Sequence, residues 1–218
     1  MKKKIPVIVL AVLLLGLLFC LADHHAYTEG TKTISFRREG LVFSITTFDG
    51  VAEGEPFQPC LGHAWCSLEN FTGHSVALGG TTLSDGELLT FSAWAVSGHA
   101  GVLFNIEPNY IRLEGRYAGR RSLSMNIEED DLKTIDRYIA EHDTWTPMTN
   151  CSTWSLGLWN ALAEEEYQLP SQILLYTPDR VKKAMTEFDC VEINQDFSRA
   201  GGGFFYRDGV RVEAELCK

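Results

Sequence analysis

The chain has 218 residues, and its 29 acidic residues outnumber its 19 basic ones, which gives a formal net charge of −10 at pH 7. A protein with this balance lacks the cations that neutralise nucleic-acid phosphates, so the composition argues against nucleic-acid binding. The length requires no more than one ordinary domain.

The first 22 residues have the organisation of an export signal. Three lysines at residues 2–4 precede an uncharged apolar stretch of 18 residues that ends at Ala22. A basic start orients such a stretch with its lysines in the cytoplasm, and Ala22 offers a small residue for cleavage before Asp23. Because about 20 residues span a bilayer, residues 1–22 fit either a signal peptide or a membrane anchor. We therefore expect a protein that is secreted, or membrane-anchored and facing outside the cytoplasm.

Strand signals dominate the first half of the remaining chain. Residues 23–30 are polar and are expected to form a flexible tether, and residues 31–218 are expected to form a single domain. Apolar and polar residues alternate from Thr31 to about Glu114, with turn residues between the runs. The predicted strands are residues 33–36, 41–46, 64–68, 75–78, 88–96 and 102–106.

Apolar residues take up helical spacing after Arg121. Asn126 and Glu129 have the spacing of a capping box, which predicts a helix over about residues 127–142.

Two further helices and a return to strand are predicted beyond it. A helix is expected to begin at Cys151, capped by Thr149 or Asn150, and another over residues 177–185 with Pro178 in its first turn. Short strands are expected at residues 190–193, 204–206 and 210–215. The predicted fold class is therefore α+β with a β-rich N-terminal half.

The cysteines number six, at Cys20, Cys60, Cys66, Cys151, Cys190 and Cys217. Cys20 lies in the targeting segment, so five would face an exterior in which disulfides form. Five is odd, so at least one thiol must stay free or pair between chains. If the other four pair with each other, Cys151 is the thiol that is left over.

Cys151 lies in the sequence Thr-Asn-Cys-Ser-Thr-Trp, at the start of a predicted helix. The positive end of the helix dipole favours a thiolate there and lowers the pKa of the cysteine. The unpaired N–H groups of the first turn can also receive a developing oxyanion. These are the requirements of a catalytic cysteine, and the competing interpretation is a buried structural cysteine or half of a disulfide.

A thiolate nucleophile also needs a base, which is most often histidine. His63 is our candidate, because it opens a predicted strand in the sequence Leu-Gly-His-Ala-Trp. From the end of a sheet its imidazole could project toward a helix terminus packed against that sheet.

The order of these two motifs resembles that of circularly permuted papain-like cysteine hydrolases, in the NlpC-type class that includes lecithin retinol acyltransferase-like enzymes. A Gly-His-Ala-Trp sequence around His63 precedes an Asn-Cys-Ser sequence around Cys151 by about 90 residues. In ordinary papain-like enzymes the cysteine helix comes first. The resemblance covers roughly residues 61–162, and it implies an antiparallel sheet packed on the cysteine helix, with Cys151 as nucleophile and His63 as base.

The resemblance also implies a third polar residue that orients the imidazole. Our prediction is His99, which begins a later strand much as His63 begins its own. Glu107, Asn105, Glu69 and His74 are also candidates for this role.

The predicted function is that of an exported cysteine hydrolase that cleaves an amide bond in a peptide or a peptidoglycan-type substrate. No metal or organic cofactor is implied. Acyl transfer to or from a lipid uses the same constellation and is a second possible reaction. A different hypothesis is a non-catalytic, secreted β-rich binding module with a structural Cys151. Geometry separates hydrolase from binding module, because the hydrolase requires the Cys151 sulfur to lie within reach of a His63 nitrogen.

Overall fold

A large antiparallel sheet organises the protein in the computed structural model, which describes residues 27–50, 62–96, 99–114, 117–171 and 176–214. Its eight strands are β1 (Gly40–Phe48), β2 (His63–Phe71), β5 (Leu88–Val96), β6 (His99–Phe104), β7 (Arg121–Ile127), β8 (Glu192–Ile193), β9 (Phe204–Arg207) and β10 (Val210–Glu213). They lie side by side in the order β10-β9-β6-β5-β2-β1-β7-β8. A separate hairpin consists of β3 (Val76–Leu78) and β4 (Thr81–Leu83).

Four α-helices complete the described part of the chain. They are α1 (Glu107–Glu114), α2 (Asp131–Glu141), α3 (Cys151–Leu162) and α4 (Pro178–Met185). The predicted α+β class is therefore confirmed. Within the described residues, no helix is long and apolar enough to cross a membrane, and the predicted targeting segment at residues 1–22 lies outside them.

The two faces of the central sheet differ because side chains alternate along each strand. One face is apolar and packs against α3, with Phe43 stacked 6.1 Å from Trp159 and Phe91 edge-on to Trp154. The other face carries buried hydroxyls that bond in pairs across strands, such as Ser44 to Ser124 at 2.7 Å. The apolar face is thus what fixes α3 against the sheet.

Most of the strands that bound the site lie where the alternation predicts them, and β5 has the predicted bounds. The strand predicted at residues 33–36 is wrong. Ile34 does point inward, but its N–H donates to the Cys190 sulfur at 3.3 Å rather than to a neighbouring strand. The alternation at residues 33–36 therefore reflects the burial of Ile34 and not hydrogen bonding between strands.

The capping box predicted at Asn126 is also wrong. Asn126 lies in β7, and its side chain accepts the Arg37 N–H at 2.8 Å and donates to the carbonyls of Arg37 and Glu39. The side chain is therefore engaged with a distant turn, and helix α2 begins only at Asp131.

The end of the predicted tether is attached to the domain. Tyr27 packs against the main hydrophobic core, and the Gly30 N–H donates to the Thr186 carbonyl at 2.8 Å. Tyr27 and Gly30 are therefore in contact with the rest of the described chain.

Gly157 provides a test of how tightly α3 is packed. A Cβ at this position would overlap the Tyr138 hydroxyl and approach its ring carbon Cζ to 3.2 Å. Alanine normally stabilises a helix interior by about 1 kcal/mol relative to glycine. Here we expect Gly157→Ala to lower the free energy of unfolding, measured with urea, by about 1–3 kcal/mol because of overpacking.

The Tyr138→Phe background is the control for this substitution. It removes the hydroxyl that the new methyl group would meet, so Gly157→Ala should cost less there. An equal cost in both backgrounds would contradict the packing explanation.

Candidate active site

Asn150 caps helix α3 and fixes the position of Cys151. Its Oδ1 accepts the backbone N–H groups of Ser152 and Thr153 at 2.9 and 3.1 Å, and its Nδ2 donates to the Tyr176 carbonyl at 3.0 Å. Of the two caps that the sequence allows, Asn150 is the one used. Cys151 is consequently the first helical residue, half-buried, with the positive end of the helix dipole behind its sulfur.

The Cys151 sulfur lies where two central strands separate. The pairing of β2 with β5 stops at Cys66 and Phe91. Beyond that point the Ser92 hydroxyl donates to the Ala64 carbonyl at 2.8 Å, and the Ala64 N–H donates to the Cys151 sulfur. The opening in the sheet therefore supplies a backbone donor for a thiolate.

His63 is the first residue of β2 and links Cys151 to a buried carboxylate. Its Nε2 lies 2.9 Å from Oε1 of Glu107, and its ring is also hydrogen-bonded to Cys151. Since Nε2 is occupied by Glu107, Nδ1 is the nitrogen that remains for the sulfur. The structure thus brings the predicted nucleophile and base together.

Glu107 is fully buried and accepts three side-chain hydrogen bonds. Besides His63, the Thr90 hydroxyl donates to Oε2 at 2.6 Å and the Trp94 indole N–H donates to Oε1 at 3.0 Å. Burying a carboxylate is costly unless its oxygens are bonded in this way. The chain reaches this position because Asn105, with φ of 54°, turns it from β6 into α1.

Aromatic rings enclose the His63 imidazole. The Trp94 ring centroid lies 4.0 Å away, and the rings of Trp65 and Tyr117 lie at 5.7 and 6.1 Å. These contacts restrict rotation of the imidazole, so its two nitrogens keep facing Glu107 and Cys151.

The charges in this site favour an ion pair. Burial opposes protonation of His63, but the Cys151 thiolate and Glu107 outweigh it and raise the pKa of His63 to about 9. Burial also opposes the Cys151 thiolate, but the charge and hydrogen bond of His63 outweigh that effect and lower the pKa of Cys151 below its usual value. The thiolate–imidazolium pair is the nucleophilic form of such a site.

The prediction that His99 orients the imidazole requires correction, because Glu107 occupies His63 Nε2. The His99 ring stacks on Phe205 at 4.3 Å, and its Nε2 lies 4.0 Å from the Asp143 carboxylate. His99 does begin a strand, as the prediction assumed, but its ring lies beside Phe205 and Asp143.

The side chains of Glu69, Asn105 and His74 are each engaged away from His63. Glu69 is bonded to Gln195 and Arg199. Asn105 accepts a backbone N–H of β5 at 2.9 Å, and His74 lies at the surface beside an exposed carboxylate. None of the three therefore orients the imidazole.

Glu107 is one of the candidates that the sequence offers for this role, although our prediction from the sequence is His99. The signal that could have decided between them is Pro108. A proline suits the first turn of a helix better than a continuing strand, so it marks Glu107 as the point at which the chain leaves the sheet.

Three described cysteines are free thiols, namely Cys66, Cys151 and Cys190. Cys66 is buried and its thiol donates to the Ser155 carbonyl at 3.6 Å. Cys66 and Cys190 form no disulfide within the described residues, and the pairing of four cysteines stays a prediction. Cys20, Cys60 and Cys217 lie outside the described residues.

No family model matches the chain, and comparisons with curated proteins and with solved structures also gave no match.

The ion pair predicts an unusual titration of His63. Followed by NMR through its carbon-bound ring protons, the imidazole should titrate near pH 9. Cys151→Ala should lower this midpoint, because only Glu107 then opposes the effect of burial. Cys66→Ala, which removes another thiol of the same region, is the control and should leave the midpoint unchanged. A wild-type midpoint near 6.5 would contradict the ion pair.

Proposed function

We propose that the protein is a cysteine hydrolase that cleaves amide bonds, with Cys151 as nucleophile, His63 as acid and base, and Glu107 as the residue that orients His63. The supporting observation is the unbroken series of contacts from the Cys151 sulfur through His63 to the buried Glu107 carboxylate. A structural cysteine would need neither a buried histidine nor a fully bonded carboxylate behind it.

The first step is acylation of the thiol. The Cys151 thiolate attacks the carbonyl carbon of the substrate, and the carbonyl oxygen takes up negative charge. Asn150 engages the N–H groups of Ser152 and Thr153. The Cys151 N–H precedes these two in the first turn, at the positive end of α3, and is suited to stabilise the oxyanion.

Collapse of the intermediate breaks the carbon–nitrogen bond. The His63 imidazolium gives its proton to the leaving amine, and a thioester with Cys151 remains. His63, now neutral, takes a proton from water, which attacks the thioester and releases the acid and the thiolate. Glu107 keeps the ring in place through both transfers.

The arrangement supports the resemblance to permuted papain-like enzymes. The base is on β2, the orienting carboxylate follows β6 and the nucleophile begins α3, so the base precedes the nucleophile in the chain. Together with the predicted export of the chain, this favours a peptide or peptidoglycan-type amide met outside the cytoplasm as substrate.

Alkylation of Cys151 tests the proposal without a known substrate. With iodoacetamide at pH 6 we expect rapid modification of Cys151, located by peptide mass spectrometry, because the pKa of its thiol is lowered. His63→Ala should slow this reaction at least about tenfold, since one pKa unit is tenfold in thiolate. Cys66 is an internal control, because burial raises the pKa of its thiol. If wild-type Cys151 were alkylated with the pH dependence of an ordinary thiol, the proposal would be contradicted.

Hydrolysis should then be measured on purified peptidoglycan, peptides and acyl lipids. Release of amine groups by the wild type and its loss in Cys151→Ala would support amide cleavage. Cysteine-dependent release of fatty acid alone would instead assign the site to acyl transfer, and full activity of Cys151→Ala would exclude both.

The role of Glu107 can be separated from that of His63. Glu107→Gln keeps oxygen and nitrogen groups in place but removes the charge that helps to hold the proton on His63. We expect the rate of Cys151 alkylation at pH 6–7 to fall roughly tenfold and the His63 titration to move to lower pH. Glu129→Gln is a matched control, because Glu129 lies 3.0 Å from the exposed His74. Equal alkylation rates and equal His63 titrations in the two variants would exclude the role of Glu107 in orienting His63.

A further inference from the structure

The segment between helices α2 and α3 must hold Cys151 in place, although it is mostly exposed. It runs from His142 to Asn150, referred to below as the 142–150 loop, and has no regular secondary structure. A nucleophile that is displaced by about 1 Å loses much of its reactivity. Contacts that fix this loop therefore bear directly on the reaction of Cys151.

The loop is attached to an edge of β6 that none of the described strands covers. β6 pairs with β5 along its length, but with β9 only at Phe104. Toward the start of β6, the Val102 N–H donates to Oδ1 of Asp143 at 2.6 Å, and the Ala100 carbonyl accepts the Trp145 N–H at 3.3 Å. Asp143 and Trp145 thus form the hydrogen bonds that a neighbouring strand would form at this edge.

Gly101 makes this close approach possible. A Cβ at residue 101 would overlap the Asp143 carboxylate and lie 3.0 Å from Nε2 of His99. The backbone of Gly101 does not require glycine, since its φ lies outside the left-handed region. Its requirement for glycine therefore comes from the docked carboxylate.

His99 lies at the same place with an unused ring nitrogen. Its Nε2 is buried without a hydrogen-bond partner in the described chain and lies 4.0 Å from Oδ1 of Asp143. The Asp143 carboxylate faces the ring from the loop, and Phe205 of β9 stacks against it. A protonated His99 would be attracted to Asp143 and would add to the docking of the loop.

We propose that Asp143 is a positioning residue, which holds Cys151 in reach of His63 by docking the 142–150 loop on the uncovered edge of β6, with His99 as its charge partner. This inference rests on the proposed function. In this proposal His99 acts on the loop that precedes the nucleophile, while Glu107 orients the base.

Hydrogen exchange measured by mass spectrometry tests the docking directly. In Asp143→Ala, amides of residues 143–150 and of Val102 should exchange roughly tenfold faster or more, because a charge-assisted bond is lost. Asp143→Asn should be intermediate, since its side-chain oxygen can still accept the Val102 N–H. Asp136→Ala is a matched control, because Asp136 also accepts a backbone N–H at 2.6 Å, but from Gly79 in the β3–β4 hairpin. Unchanged exchange of the loop in Asp143→Ala would overturn the proposal.

Alkylation of Cys151 by iodoacetamide at pH 6 tests the consequence for the site. We expect Asp143→Ala to slow it several-fold, Asp143→Asn to restore part of the rate, and Asp136→Ala to leave it unchanged. A loosened loop with an unchanged Cys151 rate would overturn the positioning role. The proposed function is tested on the wild-type thiol, so its failure is distinguished from a failure of the positioning role, which is read from the ratio of variant to wild-type rates.

The part played by His99 is measured with His99→Phe, which keeps a ring against Phe205 but removes the nitrogen that lies 4.0 Å from Asp143. At one fixed pH, we expect the amides of residues 143–150 to exchange faster in this variant than in the wild type. Unchanged exchange would exclude His99 as the charge partner.

Discussion

A carboxylate without access to water sets the main constraint on this protein. Glu107 can remain charged in the interior only while its oxygens are hydrogen-bonded. Its three partners, His63, Thr90 and Trp94, lie on strands β2 and β5. The same bonds that satisfy the carboxylate therefore fix the base, and helix α1 cannot move away without leaving a charge uncompensated.

The other half of the site depends on apolar packing and one amide side chain. The rings of Trp154 and Trp159 hold α3 on the sheet, whereas Asn150 determines where the helix begins. Neither the packing of these rings nor the Asn150 cap takes part in the proposed reaction. Together they present the positive end of the helix at the place where β2 and β5 separate, so that a thiolate there meets a dipole, an imidazolium and a backbone donor.

The sequence predicted the parts of the site that local signals encode. A cap followed by an amphipathic run located Cys151 at the start of α3, and a strand start located His63. For Glu107 the local signal is weaker, because Pro108 shows where the chain leaves the sheet but not that the Glu107 side chain meets His63. That contact depends on the turn at Asn105, which places the eight-residue helix α1. The capping box predicted at Asn126 is wrong for a related reason, since the side chain of Asn126 bonds to a distant turn instead.

The adjacency of His63 and Ala64 has a mechanical consequence. One strand supplies the Cys151 sulfur with its proton partner from the first residue and with its backbone donor from the next. A shift of α3 against β2 would change both contacts together, because consecutive residues of one strand supply them. The reactivity of the thiolate therefore depends on how closely the start of α3 is held to the start of β2.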